Sequence, residues 1–231
     1  MTTAEGTTQA IFPEGGLSLD GRVGTARLGL LSYIMAGFDP LGRDVVFVPV
    51  GLAYDRVLED RVLVAAAETG SRRFRVRPLP ALGFAARAAF KLASGRFKGF
   101  GTAAAAFGPP LSLRSYLAEM PQAAPEGLAL RIMAAIERVV PVVPVALVAA
   151  ALTEGPGDRN ELVAQAEILV KALTDFGAEL RLAPQGIAAT VEEGLAPLIA
   201  RGIVTPDLKP VAAQRSLLQF YAASVQQRLK L

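Results

Sequence analysis

The chain has 231 residues, enough for one domain with a sizeable core, and 52% of them are apolar. It contains no Cys and no His, which excludes disulfides, thiolate metal sites, a cysteine nucleophile and the side chain most often used as a general base near neutral pH. The net charge of +3 is unevenly spread: no acidic residue lies between Glu68 and Glu119, where Arg72, Arg73, Arg75, Arg77, Arg87, Lys91, Arg96, Lys98 and Arg114 all fall.

The first residues, MTTAEGTTQA, lack the basic and apolar regions of a secretory signal. The expected location is therefore the cytoplasm, peripheral on the inner face of a membrane. Thr8 to Phe12 reads as a strand end running into a Gly-rich loop at Glu14 to Gly16, with a further turn at Asp20-Gly21. Leu28, Leu31, Ile34, Met35 and Phe38 recur at helical spacing within Thr25 to Phe38. Asp44 to Tyr54 is a continuous β-branched run of the kind expected for a strand covered on both faces. Strand, helix, strand is the local order of an α/β unit.

Arg73 to Arg77 alternates basic and apolar residues as a strand does, and Ala81 to Ala93 reads as a helix. Thr102 to Gly108 has two readings: its alanines favour a helix, and its flanking Gly and Pro residues favour a short buried strand. Val139 to Leu152 is too short to span a bilayer, and Pro141 and Pro144 interrupt it. It is expected to be a buried helix with a broken entry. Asp158 with Glu161 forms a capping-box pattern ahead of a helix ending at Gly177, and Thr190 with Glu193 repeats the pattern ahead of Gly202. A last amphipathic helix is expected over Val211 to Leu229, and Thr153 to Arg159 is the best candidate boundary.

The Phe12-Pro13-Glu14-Gly15-Gly16 loop suits a cradle for a polar ligand. Glycines let backbone approach closely, and a carboxylate accepts hydrogen bonds from hydroxyl groups. The plainer alternative is a turn in which Glu14 bonds to nearby backbone amides.

FPEGGLSLDGR, then VVFVPVGLAYDRV, then AFGPPLSLRSYL together resemble the glycerol-3-phosphate acyltransferase family of glycerolipid synthesis. Its F-P-E-G-G/T-R-S-R-like block is matched by Phe12, Pro13, Glu14, Gly15, Gly16 and Ser18. Its Val/Ile-Pro-Val/Ile block is matched by Val45, Val46, Val48, Pro49 and Val50, and its N-F-G-E-P-like segment by Phe107, Gly108 and Pro110. The resemblance implies an α/β fold: the C-terminal part of a glycerolipid acyltransferase-type sheet with covering helices, followed by an α-helical region. It divides the chain into a partial acyltransferase domain, residues 1–120, and a helical region, residues 121–231.

It further implies an enzyme of phospholipid biosynthesis. Such enzymes carry a fatty acyl group from acyl-CoA or acyl-ACP to glycerol 3-phosphate or lysophosphatidate, with no other cofactor and no metal. Glu14, Gly15, Gly16, Ser18 and Arg22 fall on the acceptor side by this resemblance, and Val48, Pro49 and Val50 on the donor side. The family's base, the His of a His-x-x-x-x-Asp pair, has no counterpart, and Leu17 and Leu19 stand where the family usually carries Arg. The expectation is a chain lacking its catalytic half and inactive alone, partnered by a missing N-terminal portion. The rival expectation is a non-catalytic module that associates with a membrane or a separate subunit. The basic segment reads either as a patch for anionic lipid or as an ordinary solvated surface. Nucleic acid is not expected as a partner, because Leu195 to Asp207, which resembles a helix leading into a wing, lies in a near-neutral part of the chain and lacks clustered cations.

Overall fold

A computed structural model describes residues 6–70 and 101–230. The strand expected at Arg73 to Arg77, the helix expected at Ala81 to Ala93 and most of the basic segment lie outside the described residues. Helix α1 (Leu28–Ala36) forms within the expected window. Leu31 is buried, with Leu28, Ile34 and Met35 packed around it. The strand expected at Thr8 to Phe12 does not form. Among the described residues that segment pairs with no strand, and a Gly15 N–H donating to the Phe12 carbonyl at 2.9 Å turns the chain instead.

Strands β1 (Val46–Phe47), β2 (Val50–Tyr54), β3 (Ala103–Phe107) and β4 (Leu111–Ser112) make one kinked antiparallel ribbon. Phe47 faces Leu111 and Val50 faces Phe107, so Val48 and Pro49 stand opposite three residues, Gly108 to Pro110. Such a mismatch is a bulge, and Pro49, with no N–H to give, interrupts the ladder there. The Pro49 carbonyl still accepts from Gly108 N–H at 2.8 Å. The strand reading of Thr102 to Gly108 is the one realised, because pairing with β2 outweighs the helical preference of alanine.

The expectation of cover on both faces is overturned. The odd-numbered residues of the ribbon meet helices, while Val46, Val48, Val50, Leu52 and Tyr54 are exposed. Apolar residues on both faces of a strand require two covering layers, and the described residues supply one.

Helices α2 (Asp60–Thr69), α3 (Leu113–Glu119) and α4 (Pro125–Val139) precede a bundle of α5 (Pro144–Thr153), α6 (Arg159–Phe176), α7 (Ile187–Ala200) and α8 (Arg215–Leu229). The expected buried helix with a broken entry is α5. Pro144 occupies its first turn, where its missing N–H costs nothing, and every residue from Pro144 to Leu152 is buried. Helices α6, α7 and α8 surround it. A second core unites Leu31, Leu113, Tyr116, Leu128 and Ile132.

Asp158 caps α6 by accepting from Asn160 N–H at 2.8 Å and Glu161 N–H at 2.9 Å. Glu161 returns a bond to Gly157 N–H, one residue earlier than the usual box. Thr190 is not a cap. It lies inside α7, where its Oγ1 donates to the Gly186 carbonyl and accepts from Ala183 N–H, because Gly186 opens the helix four residues sooner. Among the described residues no helix is long and apolar enough to cross a membrane.

Candidate functional site

The loop from Pro13 to Arg27 is closed at its base by Arg27 N–H donating to the Pro13 carbonyl at 2.8 Å. Across its middle, Glu14 Oε2 accepts from Gly24 N–H at 3.0 Å. Asp20 Oδ1 accepts from Arg22 N–H at 3.1 Å, and Ser18 Oγ donates to the Arg22 carbonyl at 2.8 Å. The plain reading of Glu14 is thus realised through one carboxylate oxygen. Its Oε1 has no hydrogen-bond partner among the described residues.

The C-terminal helix holds this loop in place. Gln227 of α8 donates through Nε2 to the Val23 carbonyl and accepts through Oε1 from Val23 N–H, both at 2.9 Å. Gly21 has φ +81°, and a Cβ there would lie 1.9 Å from the Phe220 carbonyl oxygen, so no side chain fits. Leu19 packs against the bundle core. That explains one departure from the family block: an Arg at position 19 would pull a charge into apolar surroundings or vacate the contact. Leu17 is exposed and has no such account.

Folded this way, the loop opens a groove of about 340 Å³ whose lining includes Glu14, Ser18, Asp20, Arg22 and Arg27. Three of the five residues expected on the acceptor side therefore share one wall system, and Arg27 joins them. Gly15 and Gly16 shape the bend without lining the groove. Gly15, at φ +70°, leaves room for the Arg27 side chain, whose Cδ lies 2.6 Å from where a Cβ would stand. Val48, Pro49 and Val50 sit at the ribbon bulge and do not line it; Pro49 is buried while Val48 and Val50 are exposed.

Polar residues that sequence reasoning passed over organise the surroundings. Asp55, buried, accepts from Thr102 N–H at 2.8 Å and from Val145 N–H at 3.2 Å, tying the ribbon to the first turn of α5. Asp60, also buried, pairs with Arg201 at 2.6 Å and accepts the Tyr221 hydroxyl proton, while Arg201 Nη1 donates to the same hydroxyl at 2.8 Å. Burial and the bond to Asp60 push the Tyr221 phenol up to about 12 against the opposing Arg201 charge. At Asp44 burial raises the carboxyl, but bonds from Ser112 Oγ, Arg114 N–H and Val45 N–H outweigh it and hold the group below its ordinary value. No sequence spacing marks the long-range partners among these, such as Asp55 with Thr102, 47 positions apart, and Asp60 with Tyr221, 161 apart.

The chain is thus a mixed helix and strand fold that bears a Phe-Pro-Glu-Gly loop groove and a Val-Pro-Val bulge. Residues 86–222, more than half of the chain, match the family described as glycerol-3-phosphate acyltransferase C-terminal region. The chain belongs to that glycerol-3-phosphate acyltransferase family. It is 28% identical over 209 residues to proteins named putative acyltransferase plsB1 from Mycobacterium bovis and Mycobacterium tuberculosis, covering 83% of this chain and 31% of theirs. To glycerol-3-phosphate acyltransferase 1, mitochondrial, of Sus scrofa it is 30% identical over 133 residues, covering 54% of this chain and 15% of that protein. The chain thus spans about a third or less of the length of the relatives it matches.

Proposed function

We propose that this chain is the acceptor-holding segment of a glycerolipid acyltransferase. In this reading an acyl group passes from acyl-CoA or acyl-ACP to a hydroxyl of glycerol 3-phosphate or lysophosphatidate, and the ribbon belongs to an acyltransferase-type sheet. The observation that carries it is the convergence of Glu14, Ser18, Arg22 and Arg27 on one groove. The unengaged oxygen of Glu14 suits a glycerol hydroxyl, and two guanidinium groups suit a phosphate. Holding an acceptor hydroxyl in place removes orientational freedom that the uncatalysed reaction must supply.

The chain has no His, and abstracting the hydroxyl proton calls for a base. In this proposal the base comes from outside the 231 residues, and the chain alone transfers no acyl group. Glycerol 3-phosphate titrated against the purified chain, followed by calorimetry, tests the groove. Arg22→Ala is expected to weaken binding about 10- to 100-fold, as loss of a hydrogen bond between charged partners worth roughly 1.5–3 kcal/mol would. Glu14→Gln, which keeps an acceptor for Gly24 N–H, is expected to weaken it by about tenfold. Unchanged affinity in both variants, with the fold intact by circular dichroism, refutes the assignment.

A further inference from the structure

A second hollow, of about 430 Å³, adjoins the acceptor groove between the loop, α2 and α8. Leu19, Asp20 and Arg22 border both spaces, so the two meet along the loop. The apolar lining of the hollow comes from all three elements: Leu19 of the loop, Val64 and Ala67 of α2, and Phe220 and Ala223 of α8. Leu19 and Val64 pack half-buried against the bundle core, while Phe220 and Ala223 are buried, so the contacts that fix the loop fix this surface as well. The polar side of the hollow consists of Glu68, which accepts from Ser216 Oγ at 2.7 Å, and of Gln219 and Gln226.

Position 19 gives the hollow its meaning. Where the family block usually carries Arg, a side chain suited to phosphate, this protein presents an apolar side chain to both spaces at once. Glycerol 3-phosphate is polar throughout and is provided for by the groove alone. It gains nothing from Leu19, Val64 or Phe220. A ligand that carries a phosphate for Arg22 and a hydrocarbon chain on the same glycerol gains from both spaces, because each methylene taken out of water adds to affinity. Gln219 offers an amide N–H to the ester that joins such a chain to the glycerol. The acyl donor is the other source of a hydrocarbon chain. Its expected residues, Val48, Pro49 and Val50, line neither space, whereas the hollow opens from the acceptor loop itself.

We infer that the hollow holds the fatty acyl chain of a monoacylated acceptor, so that this protein selects a monoacylglycerol 3-phosphate over free glycerol 3-phosphate, with Leu19 the specificity-determining side chain where the two spaces meet. The inference rests on the acceptor function proposed above and adds which acceptor is taken.

Calorimetry on the purified chain tests this with glycerol 3-phosphate and its 1-butanoyl, 1-hexanoyl and 1-octanoyl esters, each below its critical micelle concentration. Affinity is expected to rise with chain length, the octanoyl ester binding about 30-fold or more tightly than glycerol 3-phosphate. Ala67→Trp on α2 and Gln219→Trp on α8 each place a bulky ring at an exposed position that lines the hollow and not the groove. In either variant, given a native circular dichroism spectrum, the ratio of octanoyl to unacylated affinity is expected to fall to within about threefold of unity. Affinity independent of chain length, a ratio unchanged in both Trp variants, or octanoylglycerol binding as tightly as its phosphate ester overturns the inference. Binding of octanoyl-CoA that the Trp variants abolish assigns the hollow to the donor and overturns it too. Any of these results obtained while glycerol 3-phosphate still binds through Arg22 leaves the proposed function standing; failure of every phosphate-bearing ligand to bind refutes both.

Discussion

Tyr221 shows how much a single hydroxyl organises here, accepting from Arg201 and from Val57 N–H while giving its proton to Asp60. The fold favours its neutral form, so its pKa stands above the ordinary value of 10.0, at about 12. The stability linked to that shift is complete below pH 10 and is lost as pH climbs toward 12. Phenolate absorbance during alkaline titration is expected to include a late step that Tyr221→Phe removes. At neutral pH the same substitution is expected to cost about 1–3 kcal/mol in urea unfolding, because Asp60 is left buried with fewer partners. None of this was legible in the sequence. Asp60 belongs to no motif of the sequence, and its hydroxyl partner lies 161 positions away. Glu14, by contrast, was legible in kind, since a carboxylate beside two glycines announces a bend. What its second oxygen meets depended on where Gly24 folded back.

Helix α5 is apolar on every side, and a helix of that composition is stable only when neighbours close around it. At its crossing with α7 the approach is set by Gly194, where a Cβ would lie 2.3 Å from the Pro144 carbonyl oxygen and 2.7 Å from Val148 Cγ2. Gly194→Ala raises helix propensity yet is expected to destabilise the chain by about 1–3 kcal/mol, because the helices must separate to admit one methyl group. Thermal unfolding followed by circular dichroism reads the sign directly. At this scale the sequence was most informative. The periodic apolar residues and the terminating Gly177 located α6, and the prolines located the break before α5. Thr190 misled because a Thr followed three residues later by Glu has the same pattern inside a helix as at its start. The ribbon misled because apolar residues on both faces of a strand say that two layers are needed, not that one chain provides them.

Among the described residues, Asp55 links the ribbon to the helical bundle directly, accepting from Thr102 N–H beside β3 and from Val145 N–H in α5. Asp55→Ala removes the acceptor of both Thr102 and Val145 N–H. Faster hydrogen exchange is expected across β2 and β3, with protection in α6 and α8 retained; uniform loss of protection would show instead that ribbon and bundle unfold as one unit. The groove is a property of this largest scale too. Its chemical groups lie within residues 14 to 27, but Gln227 and Phe220 fix their arrangement. The 204 positions between Val23 and Gln227 therefore set an order of events during synthesis. At roughly 5–20 residues per second the ribosome takes on the order of ten to forty seconds to cover that interval. The loop emerges before α8 and must wait for that helix to acquire its shape, and a nascent chain stalled short of Gln227 would display the correct residues around an unformed hollow.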